Sequence, residues 1–314
     1  MHLLLAAAVA SLAAATDLTV LSWNVESGRN DPAVIARELT ELNTEQGHAR
    51  YDLICLTEVK SVNAESYRQA LQVGGTEYDL LLSSTGNDDR IALLYRTDRF
   101  RRTDSDSGNS RPTELSSHDG ETFPAGGNRR PCLVKLKDLR TAGLEFLFMG
   151  NHLNRGTNRT RQTQARLLRE WVKTQTLPVI ATGDYNFDFD FQHLTGNQAM
   201  SIFLRDPANE GGRFAWRWVI PDTEVTVIGR GGARHVEIVG ELQDTNWYDG
   251  DRDGEDDYPD SFLDFVFLGG AAQQWKATAT VIVRAGDFPD GRQKSDHRPL
   301  AAVVTPSAGD SGGR

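Results

Sequence analysis

The chain has 314 residues, 39% of them hydrophobic and 25% charged, which is enough apolar surface for a sizeable core in one large domain or two ordinary ones. That composition excludes collagen, low-complexity disorder and a multi-span membrane protein. Against 34 basic residues stand 44 acidic ones, a net charge of −10. Such a balance argues against a protein that coats nucleic acid through a broad basic surface, though not against an enzyme that meets a few phosphates through metal ions.

The first element is the start, MHLLLAAAVASLAAAT. Leu3 to Leu12 is an apolar run of signal-peptide length, and Ala13-Ala14-Ala15 offers a small-residue cleavage site, although only His2 stands before the run where a Lys or Arg is usual. Residues 1–15 are therefore expected to be a signal peptide and the protein to be secreted or periplasmic. The run is too short to span a bilayer and no other stretch qualifies, so stable membrane insertion is not expected. Strand-like runs follow at 18–25, 51–59, 78–84, 90–96, 132–138, 144–153, 178–186, 262–270, 278–283 and 299–304. Several are continuously apolar, as strands buried on both faces require. Helices are expected at 32–42, where Asp31 is a plausible N-cap and Pro32 takes the first turn, at 64–73, and at 160–174, where Ala165, Leu168 and Val172 form one apolar stripe. The segment 105–127 reads as a long polar loop. With no repeat period, the pattern implies one α/β domain over 16–305, followed by a Gly/Ser/Asp-rich tail at 306–314 expected to be disordered. Cys55 and Cys132 both lie in strand-like runs, and a disulfide and two buried free thiols stay equally open. A two-Cys zinc site lacks a local His partner.

Polar residues gather at the ends of the apolar runs, where α/β sheets usually place their sites. Asn24 ends the first run, Glu58 the second, Asn151-His152 the sixth, and Asp184 with Asn186 the seventh; Asp296-His297 precede the last. Any one of these alone is ordinary turn chemistry. Asp264 differs, because a carboxylate between Leu263 and Phe265 needs a partner once buried, and His297 is the natural one. Together the residues suit metal-assisted attack on a phosphate. Glu58 and Asp296 are hard oxygen ligands, and the Asn24 amide completes a magnesium or manganese shell. Asp184 activates a water while Asn186 holds a non-bridging oxygen. His297, oriented by Asp264, acts as base or stabilises phosphoryl charge, and His152 binds phosphate or protonates the leaving oxygen.

The motifs WNVE, LTEV, GNHL, GDYN, FLDFVF and SDHRP resemble, in this order and from about Leu18 to Val304, the endonuclease/exonuclease/phosphatase superfamily. The resemblance implies a DNase I-like fold: α/β, a four-layer sandwich of two packed mixed β-sheets flanked by helices. It also implies a metal-dependent phosphodiesterase or phosphomonoesterase in which Asn24 and Glu58 hold the metal, Asp184 positions the nucleophile and Asp264 supports His297. Asp89, just before RIALLYR, resembles the acid that orients the first histidine, here His152.

Two segments bear on the substrate. Five arginines and no acid lie between Arg155 and Arg169. Arg155, Arg159 and Arg161 are expected to bind substrate phosphate, and Arg166 and Arg169 to lie on a solvated helix face. A nucleic-acid backbone fits such a patch, as does a polyphosphorylated headgroup. From Asp244 to Asp264 there are nine acids and one Arg, so most of the chain's net charge sits in one loop. Within it Asp249, Asp251, Asp253, Gly254, Asp257 and Asp260 follow a calcium-loop template with Asp at the final position, and a helix-free calcium site and a solvated acidic loop both remain open. The reading that results is a secreted, monomeric phosphodiesterase or nuclease acting on DNA or RNA. A sphingomyelinase-like or phosphoinositide phosphatase-like lipid enzyme is the runner-up, since no exposed apolar hairpin is evident in the sequence. A non-enzymatic metal-binding module has no use for GDYN together with SDHRP. If the acidic loop holds calcium, titration into the millimolar range should raise the melting temperature clearly; a flat response leaves the solvated loop.

Overall fold

The computed structural model describes residues 16–25, 30–104, 110–124, 129–141, 143–191, 193–205, 214–229, 233–238, 243–248, 253, 256–257, 261–284, 287 and 295–307. The expected signal peptide, the tail from 308 onward, and Asp249, Asp251, Gly254 and Asp260 of the calcium template lie outside them.

In chain order the elements are β1 Leu18–Asn24, α1 Pro32–Asn43, the short pair β2 Thr44–Glu45 and β3 His48–Ala49, β4 Leu53–Val59, α2 Ser61–Leu71, β5 Tyr78–Leu82, β6 Arg90–Arg96 and β7 Phe100–Arg102. Then come β8 Thr113–Glu114, the short pair β9 Ser117–His118 and β10 Glu121–Thr122, β11 Cys132–Asp138, β12 Glu145–His152, α3 Asn158–Lys173, β13 Val179–Asp190 and α4 Gln198–Leu204. The last are β14 Trp216–Trp218, β15 Glu224–Ile228, β16 Arg234–Ile238, β17 Ser261–Gly269, a 3-10 turn at Gly270–Gln274, β18 Lys276–Arg284 and β19 Leu300–Thr305. One sheet has eight strands in the order β16-β15-β18-β19-β1-β4-β6-β5; the other has seven, ordered β14-β17-β13-β12-β11-β7 with β8 also on β11. Both are mixed, β1 running parallel to β4 and β12 to β13 while their other partners are antiparallel.

Side-chain alternation explains the layering. In β1, Leu18 and Val20 enter one cluster and Leu21 and Trp23 another; in β4 Leu53 and Cys55 divide from Ile54 and Leu56 in the same way. The second cluster packs under Ile35, Leu39, Tyr67 and Leu71 of α1 and α2. The first fills the space between the sheets and continues through the seven-stranded sheet to Ala165, Leu168, Val172 and Phe203 of α3 and α4. There Trp216 stacks on Phe203 at 5.1 Å between ring centroids. Helices, sheet, sheet and helices make the four-layer sandwich that the motifs imply.

All ten expected strands form, and the three expected helices appear within a few residues of their anticipated ends. The Asp31 carboxylate accepts from the Ala33 N–H, and Pro32 takes the first turn of α1. Two expectations need correction. The polar segment 105–127 is not wholly a loop: it holds β8, β9 and β10, and Phe123 within it is fully buried. Arg169 is buried and donates to the backbone carbonyls of Ile202 and Arg205, so it ties α3 to α4. Among the described residues, no helix is long and apolar enough to cross a membrane. Both cysteines are buried free thiols.

Two devices clamp the sheets. At the end where β1 and β4 begin, buried Arg99 pairs with Asp52 at 2.6 Å and with Asp138 of β11 at 3.3 Å, joining one sheet to the other. Nearer the opposite end, Gly150 lets the sheets close: a Cβ there would stand 2.7 Å from Ile91, 2.9 Å from Cys55 and 2.9 Å from Leu93. Gly150→Ala is accordingly expected to lower the unfolding free energy by about 1–3 kcal/mol through overpacking, read as a lower urea midpoint with unchanged slope; an unchanged midpoint would refute this close approach.

Candidate active site

Three adjacent strands of the seven-stranded sheet set a row of polar side chains in register. His152 of β12 lies opposite Asp184 of β13, and Asp184 opposite Asp264 of β17. Facing this row from the eight-stranded sheet are Asn24 at the end of β1, Glu58 on β4, and Asp296-His297 just before β19. Asn24, His152, Asp184, Asn186, Asp264 and His297 are buried, while Glu58, Asp89 and Asp296 are half-buried.

Local irregularities deliver several of these groups. Register on β4 shifts between Leu56 and Val59, and Glu58 inside that shift takes a φ of 58°. Register on β13 shifts between Asp184 and Phe189, and Asn186 inside it takes a φ of 50°. A bulge of this kind re-aims a side chain at the cost of a left-handed residue, which is strain concentrated where function needs it. Gly183, at φ +130°, has no such choice, since a Cβ there would stand 2.0 Å from the Asn151 carbonyl oxygen.

The contacts weave the two sheets together. The Asn24 amide nitrogen is 3.1 Å from Glu58 Oε1, 3.1 Å from Asp184 Oδ2 and 3.3 Å from His297 Nε2. His297 Nδ1 is 2.7 Å from Asp264 Oδ2, the partnership expected of a carboxylate in a buried strand. Burial pushes the Asp264 carboxyl up and His297 opposes it; burial disfavours charge on His297, but the adjacent Asp264 outweighs it and raises the ring. At this separation each group stabilises the other's charge. Thr245 supports it from behind, its hydroxyl accepting the N–H groups of Leu263 at 3.0 Å and Asp264 at 3.2 Å. The loop bearing Asp296-His297 is held in turn. The Ser295 hydroxyl donates to the Asn24 carbonyl at 2.5 Å and accepts the His297 N–H at 3.0 Å, and the Trp23 indole donates to the His297 carbonyl at 2.9 Å.

On the other side, His152 Nε2 lies 3.4 Å from Asp184 Oδ2 and 3.8 Å from Glu58 Oε1. His152 Nδ1 is 3.3 Å from Asp89 Oδ1, which is ion-pair distance without hydrogen-bond alignment, and Arg129 pairs with the same acid at 3.0 Å. Burial raises the Asp89 carboxyl, but His152 and Arg129 together hold it below its ordinary value. The Asp184 carboxylate accepts the Asn186 N–H at 2.9 Å, and the Asn186 amide donates to the Leu153 carbonyl at 3.0 Å.

Among the described residues, Glu58, His152 and Asp184 form a compact group whose ligand atoms lie within 4.8 Å of one another. The metal set expected from sequence overlaps it only at Glu58. Asn24 lies beside Glu58, and Asp296 Oδ1 is 3.7 Å from His297 Nε2. Carboxylates dominate, and a half-turn of the Asn24 amide would present its oxygen instead of its nitrogen, so the donor set suits a hard divalent cation. The three expected phosphate-binding arginines part company: Arg155 and Arg159 are exposed, whereas Arg161 is buried, with its guanidinium on the carbonyls of Asn154 and Arg155 and on Asn158. Of the calcium template only Asp253 and Asp257 are described, both exposed. Sequence reasoning missed Thr245, Arg129 and Tyr248, which carry no motif signal, and passed over Ser295 although it stands inside SDHRP.

Residues 21–297 match the model of the Endonuclease/Exonuclease/phosphatase family. Among solved structures, the chain is similar to an endonuclease/exonuclease/phosphatase family protein from Bacteroides thetaiotaomicron, with 19% identity and a TM-score of 0.61 over 93% of this chain and 99% of that one. It is similar to a mannosyl-6-phosphatase from Bacteroides thetaiotaomicron VPI-5482, with 19% identity and a TM-score of 0.59 over 91% and 99%. It is also similar to D. rerio TDP2 complexed with a single-strand DNA product, with 18% identity and a TM-score of 0.55 over 93% and 100%. At these identities the likeness shows the fold. No curated protein matches the sequence.

The support behind Asp264 is testable without any substrate. Thr245→Val keeps the shape but leaves two buried N–H groups unpaired, and should cost about 1–3 kcal/mol of stability, largely restored in Thr245→Ser. Equal stability of Thr245→Val and the parent in urea would show that the hydroxyl does not hold β17.

Proposed function

The chain belongs to the endonuclease/exonuclease/phosphatase family, a family of phosphate-ester hydrolases, and on that premise we propose that it is a divalent-metal-dependent phosphodiesterase that cleaves DNA or RNA outside the cytoplasm. The observation that carries the reading is the convergence of His152, Asp184 and Asp264 from one sheet with Asn24, Glu58 and His297 from the other. Buried acids and histidines that perturb one another in this way cluster at catalytic sites.

In this reading Glu58, Asn24 and Asp296 hold magnesium or manganese, which when bound supplies positive charge to a phosphoryl oxygen. Asp184, fixed by the Asn186 N–H, accepts the proton of the attacking water. His297, kept protonated by Asp264, donates to the charge that grows on the phosphoryl oxygens. The Asn186 amide orients a non-bridging oxygen. His152, steadied by Asp89, passes a proton to the leaving oxygen. Export is supported by the apolar run and small-residue site at the start of the chain, and a monomer is the assembly proposed.

The two named neighbours, a mannosyl-6-phosphatase and a TDP2 bound to single-strand DNA product, support monoester and nucleic-acid chemistry alike. A substrate panel therefore decides: plasmid DNA, RNA, sphingomyelin, phosphoinositides and a chromogenic phosphodiester, each with magnesium or manganese. Hydrolysis of nucleic acid is expected, lost with EDTA and restored by either metal. Asp184→Ala and His297→Ala should each lower kcat/KM by about 10²–10⁴-fold with circular dichroism unchanged. Activity on lipid alone overturns the nuclease reading, and activity indifferent to both substitutions overturns the site.

A further inference from the structure

The loop that leaves His152 is tied down atom by atom. The Leu153 N–H donates to the Asp184 carbonyl at 2.9 Å, and its own carbonyl accepts the Asn186 amide. The Asn154 N–H donates to Gln164 Oε1 at 2.9 Å. Buried Arg161 then reaches back, its Nη1 standing 3.4 Å from the Asn154 carbonyl and 3.3 Å from the Arg155 carbonyl, with Nη2 donating to Asn158 Oδ1 at 2.8 Å. A buried guanidinium spent on two main-chain carbonyls is a positioning device, and what it positions is the backbone of Arg155.

The Arg155 side chain is exposed, and its guanidinium lies over the Tyr248 ring at 5.5 Å from the centroid. The backbone that carries this ring is held from the acidic segment: the Tyr248 N–H donates to Asp256 Oδ1 at 3.0 Å, and the Tyr248 carbonyl accepts the Asp257 N–H at 2.7 Å. It is fixed from the catalytic side too, because the neighbouring Trp247 N–H donates to the Asp296 carbonyl at 3.0 Å. The arginine thus stands at the rim, between the loop of His152 and the segment that backs Asp296. A guanidinium held over a ring face need not spend its in-plane donors, whose fork suits a phosphate.

We propose that Arg155, stacked on Tyr248 and positioned by Arg161, binds a second phosphate of the substrate beside the scissile one, so that the site favours esters carrying two. The inference rests on the phosphoesterase reading above and adds a specificity residue to it. The second phosphate belongs either to the next linkage of a nucleic-acid strand or to a polyphosphorylated headgroup, and the chemistry recognised is the same.

Arg155→Ala, Arg155→Lys, Tyr248→Ala and the parent would be compared on three compounds: bis(4-nitrophenyl) phosphate, a short single-stranded oligonucleotide and a soluble inositol bisphosphate. Oligonucleotide affinity would also be read by fluorescence anisotropy with EDTA present. Arg155→Ala should raise KM about ten- to a hundredfold for a compound with a second phosphate, leave kcat near the parent value, and leave bis(4-nitrophenyl) phosphate untouched. Whichever two-phosphate compound shows the loss identifies the source. If that source is the oligonucleotide, anisotropy should weaken in step, with a salt dependence shallower by about one phosphate contact. Arg155→Lys should recover only part, and Tyr248→Ala should reproduce part of the loss without adding to Arg155→Ala. Unchanged KM for both two-phosphate compounds overturns the inference, as does an equal loss on the single-phosphate ester. Parent turnover of the single-phosphate ester alone also overturns it while sparing the phosphoesterase reading. Parent inactivity on all three compounds, with anisotropy indifferent to Arg155→Ala, sinks both.

Discussion

The Asp264–His297 pair is the contact on which the site depends, because its two members come from different sheets. β17 carries the carboxylate in the seven-stranded sheet, and the turn before β19 carries the ring beside the eight-stranded one. A charge buried alone would be expensive, so neither sheet can present its half without the other. Asn24 repeats the logic, spanning Glu58 of its own sheet and Asp184 of the facing one. At the far end Arg99 does the same with Asp52 and Asp138. The sandwich is thus pinned at both ends by polar contacts across an apolar middle, and His152 and His297 stand among the acids of one of them.

Regular strands would not have delivered all the groups. Their alternation sends successive side chains to opposite faces, so a strand running straight through LTEV or GDYN presents fewer polar groups to the inner face than chemistry needs. The register shifts at Glu58 and within Asp184–Phe189 break that alternation. Gly183 and Gly150 make room beside them, one for the neighbouring backbone and one for the facing sheet. The strain of the left-handed residues Glu58, Asn186 and Asp188 is carried by the paired strands around them.

Charge in this chain is a matter of place. Most of the net negative charge lies between Asp244 and Asp264, and the described part of that segment supports the rim through Asp256 and Asp257 on the Tyr248 backbone. The arginines that follow His152 divide their labour by burial. Arg169 and Arg161 hold the frame, and Arg155 faces outward. A net charge of −10 therefore says little about how the mouth of the site meets an anion.

Much of the fold was legible because continuously apolar runs bounded by turn residues have few alternatives to buried strands, and because Asp31-Pro32 and the stripe of Ala165, Leu168 and Val172 are local signals. The short strands 216–218, 224–228 and 234–238, at or next to sheet edges, were not legible, since residues such as Arg234, His235 and Glu237 show no apolar pattern and pair only because a neighbouring strand offers an edge. The same division runs through the site. Sequence alone placed Asn24, Glu58, His152, Asp184 and His297 at strand ends, and the cost of a buried carboxylate was enough to assign Asp264 its partner. Which residues support those groups was decided only by tertiary structure: Thr245 behind Asp264, Arg129 beside Asp89, and Arg161 turned inward to hold Arg155. The first set follows from what a strand can bury; the second depends on which distant segments the packed sheets bring within hydrogen-bonding distance, and no local pattern records that.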